Sequence, residues 1–216
     1  MRVVLMGPPG VGKGTQAAQM QALLGVPHVS TGNILRVAIQ QEGSPLGSEV
    51  RRFVESGRLV PDGLMGDLIA ERLGRRDSAG GFILDGFPRT LEQVDILDGV
   101  LGRLGLELDR VLMLKVPEAE IVRRLSGRRT CPSCGAVYHL DSRPPAAAGV
   151  CDACGSGLVQ RPDDTEKVIR ERMKVYAGQT LPVAAAYRAK GILVEIDGFG
   201  EVDAVGARLL SGLGKV

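Results

Sequence analysis

The apolar run Val3-Val4-Leu5-Met6 leads without a break into Gly7-Pro8-Pro9-Gly10-Val11-Gly12-Lys13-Gly14-Thr15, and this junction limits the folds open to the chain. A short apolar run ahead of a glycine-rich turn reads as a buried strand, and Lys13 to Leu24 reads as the helix that follows. Strand, tight turn and helix in that order aim successive backbone N–H groups at one point on the positive end of the helix. A polyphosphate can sit there. Positive φ and close approach of backbone to an anion both exclude a Cβ, so Gly7, Gly10, Gly12 and Gly14 are read as required, with Lys13 supplying one mobile charge.

Further apolar runs follow at Gly81–Asp85, Arg110–Val116 and Gly191–Asp197, with a shorter one at Val26–Val29. They read as strands buried on both faces. Helical patterns lie between them, among them Pro61–Leu73, Thr90–Leu104, Glu118–Leu125 and one long helix over Thr165–Ala189, with Pro61, Pro117 and Thr165 as start signals. Such alternation predicts a parallel sheet covered by helices, and 216 residues suffice for one such core with insertions.

Four cysteines form the pattern C-x2-C-x16-C-x2-C: Cys131, Cys134, Cys151 and Cys154, each pair followed by glycine. Two tight knuckles offering two thiolates each suit a closed tetrahedral Zn²⁺ site of structural kind. Disulfides are the alternative, disfavoured in a reducing compartment and by the paired spacing. His139 lies between the pairs and reads as an ordinary polar loop residue beside four better ligands. The turn-rich stretch Arg143–Gly149 makes this module a small insert.

Net charge is +2, tryptophan is absent and aromatics are 3% of residues, so neither a global field nor a stacking platform marks a nucleic-acid partner. No stretch approaches the ~18 apolar residues of a membrane span, and no leader is evident, so a cytoplasmic protein without a membrane partner is expected.

Several strings together resemble the adenylate kinases of the long-lid, zinc-containing type over nearly the whole chain. They are Gly7–Gln16, Ser30-Thr-Gly-Asn-Ile-Leu-Arg36, Gly57-Arg-Leu-Val60, Leu84-Asp-Gly-Phe-Pro-Arg-Thr90 with Gln93, Gly127-Arg-Arg129, and Arg161-Pro-Asp-Asp164 followed by Arg172. The resemblance implies a P-loop kinase fold with a five-stranded parallel sheet and two mobile inserts. Residues 1–29, 61–126 and 165–216 would form the core, 30–60 an insert closing over AMP, and 127–164 a lid carrying the zinc ribbon. The implied reaction is reversible phosphoryl transfer from ATP to AMP giving two ADP, for adenine nucleotide homeostasis, by a monomer using Mg²⁺ with ATP and Zn²⁺ in the lid.

Such a reaction needs little acid–base chemistry, because the attacking oxygen belongs to an ionised phosphate, and the chain has only two histidines. Positioning and positive charge should do the work. The resemblance implies catalytic roles for Lys13, Asp85, Arg89, Arg124, Arg128, Arg161 and Arg172. It implies ATP contacts from Gly10, Val11, Gly12, Lys13, Gly14, Thr15, Arg128, Val137, Tyr138 and Gly200. AMP contacts would come from Thr31, Arg36, Arg58, Leu59, Val60, Gly86, Phe87, Pro88, Arg89, Gln93, Arg161 and Arg172. Planar guanidinium forks grip phosphate oxygens in pairs and stay ionised when desolvated. Arg123, Arg129 and Arg170 read as candidates for a solvated face; Arg170 and Arg172 are two apart and point about 200° apart on a helix, so only one faces the site.

Gly14 follows the lysine and the hydroxyl comes one place later, at Thr15, which favours a water-mediated magnesium site. Asp85, ending a strand, is placed to orient that water shell. Asn33 departs from the aspartate usual in the family and puts one part of that network in question. Asp163 and Asp164 read either as caps of the helix starting near Thr165 or as part of a lid hinge. Two alternatives stay open: a pyrimidine or GMP acceptor, against which Thr90 and Gln93 argue, and a zinc-ribbon nucleic-acid binder that uses its P-loop for switching.

Overall fold

In the computed structural model, residues 1–214 are described; Lys215 and Val216, counted with the core above, lie outside them. The sheet begins with β1 (Arg2–Met6), which runs into the glycine turn and α1 (Lys13–Leu24). Then come β2 (His28–Ser30), α2 (Thr31–Gln40), α3 (Pro45–Ser56), α4 (Asp62–Leu73), β3 (Phe82–Asp85), α5 (Leu91–Leu104), β4 (Arg110–Lys115) and α6 (Glu118–Ser126). A two-stranded antiparallel piece, β5 (Arg128–Thr130) and β6 (Val137–His139), precedes α7 (Glu166–Val175), α8 (Val183–Ala189), β7 (Leu193–Asp197) and α9 (Val202–Gly212).

The five main strands are all parallel in the order β2-β3-β1-β4-β7. Alternation along the inner strands divides the core by face. Val4, Met6, Leu84, Val111 and Met113 enter one apolar cluster, while Val3, Leu5, Ile83, Leu112 and Leu114 enter the other. Burial on both faces thus holds for β1, β3 and the centre of β4, but β7 is an edge strand in which Leu193 and Val194 are partly covered, Glu195 and Asp197 are exposed and only Ile196 is buried. Its exposed charges are met by ion pairs of Glu195 with Lys115 and Arg188.

Three helices, α2, α3 and α9, were not among the segments expected from periodicity. Ser30 and Ser44 cap the first two, accepting from the N–H groups of Asn33 and Gly47. The long helix expected over Thr165–Ala189 is interrupted. A π-turn spans Tyr176–Thr180, where the Leu181 N–H reaches back to the Tyr176 carbonyl at 2.8 Å, and Pro182, lacking an N–H, starts α8 afresh.

Gly7, Gly10 and Gly12 adopt φ of 138°, 77° and 103°, and a Cβ on Gly7 would stand 2.6 Å from the Leu114 carbonyl oxygen. Gly14 corrects the expectation for this loop. It is helical, and a Cβ there would meet only Asp85 Oδ2 at 3.8 Å, so backbone geometry does not demand glycine.

Candidate active site

The C-terminal ends of β1, β2 and β3 deliver the loop, Thr31 and Asp85 to one side of the sheet, where open parallel sheets place their ligands. Lys13 Nζ donates to the carbonyls of Gly7 (2.8 Å) and Pro8 (3.0 Å), holding its charge over the loop. Beside it opens a cleft lined by Thr31, Arg36, Arg58, Leu59, Val60, Gly86, Arg89, Gln93, Asp163 and Arg172, together with Leu35, Val54 and Met65. Most of the residues expected to contact AMP therefore share one wall. Phe87 and Pro88 do not: Phe87 is buried in the core, and the pair sets the spacing of Gly86 and Arg89 around it.

Charge is the dominant property of this region. Lys13, Arg36, Arg89, Arg128, Arg161 and Arg172 sense one another and face three carboxylates, Asp85, Asp163 and Asp164, which leaves an excess of three positive charges. Burial, reinforced by the other cations, lowers Lys13 from 10.5 to about 8. The same causes push Arg36, Arg89, Arg161 and Arg172 below the ordinary arginine value. A guanidinium does not deprotonate in practice, so the shift measures how strongly each charge calls for an anion. Burial alone would raise the Asp85 carboxyl, but His28, Lys13 and Arg89 outweigh it and hold it below the usual carboxylate range.

Asp163 and Asp164 do something other than cap α7. They lie in a short 3₁₀ turn with buried side chains, and Thr165 is the N-cap. Arg128 grips Asp164 with two bonds of 2.7 and 2.6 Å, while Arg172 reaches Asp163 Oδ2 at 2.9 Å and Asp164 Oδ1 at 3.2 Å. The two carboxylates occupy forks of the kind that also fit phosphate oxygens. Arg161 donates to Thr130 Oγ1 and Arg36 to Asn33 Oδ1, each keeping donors free. Arg124 is turned to the loop itself, donating to the carbonyls of Val11 and Gly198 and to Glu120. Arg123 and Arg170 pair with Glu120 and Glu166 at the surface, and Arg129 bonds the backbone, in line with their reading as a solvated face.

The family model for adenylate kinase matches residues 5–192 of this chain. An adenylate kinase of Geobacter sp. (strain M21) is 48% identical over 213 residues, 99% of both chains. Those of Moorella thermoacetica and Methanocella arvoryzae are each 48% identical, over 215 and 216 residues, covering 100% of this chain and 99% and 100% of their own. The chain belongs to the adenylate kinase family. It is accordingly a nucleoside monophosphate kinase, interconverting ATP plus AMP with two ADP, and the five-stranded parallel sheet is that of the P-loop kinases.

Two metal sites were expected from the sequence, and the residues can be tested against each. The four cysteine sulfurs all lie within 4.8 Å of one another, with pairs at 3.4 and 3.5 Å, far longer than a disulfide and close to the edges of a tetrahedral thiolate site. Both knuckles are built alike: the Cys131 and Cys151 N–H groups bond Ala136 and Ser156, and Gly135 and Gly155 turn at φ 77° and 75°. The donor set fits zinc. His139 is not part of it; its Nδ1 accepts from Asp141 and Ser142, and its Nε2 lies 3.3 Å from the Arg123 carbonyl oxygen, which fixes the hairpin to α6. At the loop, Asp85 is held ionised with its Oδ2 beside Gly14, an oxygen acceptor that fits the water shell of a Mg²⁺ carried in with the phosphates.

Of the residues expected at ATP, Val137 is exposed on β6, whereas Tyr138 turns its ring into the cysteine cluster and accepts the Asp152 N–H at its hydroxyl. Gly200 adopts φ 109° beside Arg208. Sequence reasoning missed Asp62. It lies at the start of α4 and holds both Thr90 and Gln93, and a lone acidic residue in a first helical turn carries no signal of such a contact.

Proposed function

We infer that the chain moves a phosphoryl group from ATP on the glycine loop to AMP in the adjoining cleft. The observation that carries this reading is the excess of buried positive charge between them, which suits the tri- and monophosphate of two bound nucleotides. Lys13 and the loop N–H groups hold the donor phosphates. Arg36 and Arg89 clamp the AMP phosphate, Thr31 and Gln93 read its adenine, and the backbone of Arg58, Leu59 and Val60 lines the same wall. Arg128, Arg161 and Arg172 meet the reacting oxygens, exchanging Asp163 and Asp164 for phosphate as the nucleotides enter. Arg124 keeps the loop carbonyls in place.

Mg²⁺, held with ATP near Asp85, would neutralise phosphate charge and align the oxygens. Zn²⁺ on Cys131, Cys134, Cys151 and Cys154 would set the shape of the small module around it, which has few other apolar contacts. Residues 30–60 and 127–164 move as inserts on the remaining core, the second excluding water that would divert the phosphoryl group to hydrolysis. The working form is a monomer, since one chain supplies every group of the cleft, and free thiols suit the reducing cytoplasm. Among the described residues no helix is long and apolar enough to cross a membrane. A coupled assay of ATP with each nucleoside monophosphate tests the reading: AMP should exceed UMP, CMP and GMP by at least about 10²-fold in kcat/KM, and equal turnover of any of these refutes it.

A further inference from the structure

Gln93 is nearly fully buried and sits where the cleft ends, and its carboxamide is held at both atoms. Its Oε1 accepts the backbone N–H of Arg89 at 2.7 Å, and its Nε2 donates to Asp62 Oδ1 at 2.7 Å. The other carboxylate oxygen of Asp62 accepts from the Thr90 hydroxyl at 3.0 Å, and that hydroxyl in turn accepts the Gln93 N–H at 3.1 Å. A backbone N–H can only donate and a carboxylate can only accept, so the amide has one orientation. Rotating it by 180° would set an NH₂ against the Arg89 N–H and a carbonyl against the Asp62 carboxylate, two repulsive contacts in place of two bonds.

We propose that Asp62 is a specificity-positioning residue: it locks the Gln93 carboxamide so that the remaining N–H and the remaining carbonyl lone pair point into the cleft in one fixed order. That order matches a 6-aminopurine, whose edge offers an acceptor at N1 and a donor at the 6-amino group. A 6-oxopurine presents the reverse, a donor at N1 and an acceptor at O6, and would need the amide to flip. Asp62 touches no substrate and acts only through Gln93, with Thr90 orienting its second oxygen. The proposal rests on the reading of this cleft as the AMP site.

Its test is the ratio of kcat/KM for AMP to that for inosine monophosphate, measured at saturating ATP in the wild type, Asp62→Ala and Asp62→Asn. The wild type should favour AMP by at least about 10²-fold. Asp62→Ala should shrink that ratio about tenfold or more, through a raised KM for AMP and an unchanged or improved use of inosine monophosphate, with KM for ATP unmoved. Asp62→Asn, which can offer either a donor or an acceptor and keeps the side-chain size, should shrink it at least about threefold and serves if the alanine variant fails to fold. A purely structural role for Asp62 would depress both acceptors together and leave the ratio alone. A wild type that favours AMP, with the ratio preserved in the variants, overturns the lock while sparing the site. A wild type that uses both monophosphates equally overturns the reading of the cleft and the lock with it.

Discussion

Lys13→Met separates what the cationic cleft does for function from what it does to stability. Burial takes Lys13 from 10.5 to about 8, and at about 1.4 kcal/mol per pH unit this disfavours the charged form at neutral pH by roughly 3 kcal/mol. Losing the charged hydrogen bonds to the Gly7 and Pro8 carbonyls offsets this by about 1–3 kcal/mol. The nucleotide-free variant should therefore be as stable as the wild type or more stable by about 1 kcal/mol, a rise of about 2–4 °C in Tm. The sign with pH follows from the lowered value. Between about pH 8 and 10.5 the folded chain binds fewer protons at this site than the unfolded chain, so the wild type gains stability as pH rises through that window, and below it the penalty is fully present. The difference between variant and wild type should thus favour the variant at pH 7 and reverse toward pH 10, while kcat falls by about 10²-fold or more at any pH. Thermal melts of both proteins across pH 7 to 10, with a coupled kinetic assay, measure all of this. A variant that melts several degrees below wild type at pH 7 with no change in the gap at pH 10, or that keeps kcat within a few-fold, refutes the reasoning.

The same lowered Lys13 predicts that kcat/KM for ATP declines above about pH 8, whereas kcat holds to higher pH because bound phosphate restores the proton; coincident profiles would contradict it. Gly7→Ala, with φ 138° and a Cβ 2.6 Å from the Leu114 carbonyl, should lower stability by about 2–4 kcal/mol, while Gly14→Ala should be neutral or slightly stabilising, as denaturant melts will tell. Asp164→Ala strips Arg128 of a bidentate partner and should destabilise the nucleotide-free protein by about 3–5 kcal/mol. ATP and AMP should restore more Tm to it than to wild type. Metal analysis should find one zinc per chain, and chelation or Cys131→Ala should lower Tm and raise phosphate release relative to transfer; an unchanged ratio in metal-free protein would detach the cysteines from catalysis.

Much of the site is legible along the chain because its parts are local. A loop that wraps phosphate needs its glycines and lysine within a few residues, and Gly7, Gly10 and Gly12 take the left-handed conformations that such a turn requires. Each knuckle likewise needs two cysteines and a glycine in five residues, and the two copies fold alike. The inner strands announce themselves by unbroken apolar runs, since both their faces are covered. α2 and α3 are capped by serines and are strongly amphipathic, yet they are absent from the expected helices, because both fall in the stretch read as an insert.

Contacts that close across the fold are another matter. Gln93 and Asp62 are 31 residues apart, and Arg128 and Asp164 are 36 apart; neither pairing leaves a trace in spacing. That both aspartates neutralise guanidinium groups and neither caps α7 depends on where α7 and the hairpin come to rest against each other. The direction of the Tyr138 ring, into the cysteines, is decided by the same packing. Residue types and short spacings dictate which chemistry the chain can perform, because those act within one turn or loop. The order of the strands, and with it the partner of each charge in the cleft, is set by burial of two apolar faces at once, a condition that exists only when the whole sheet is assembled.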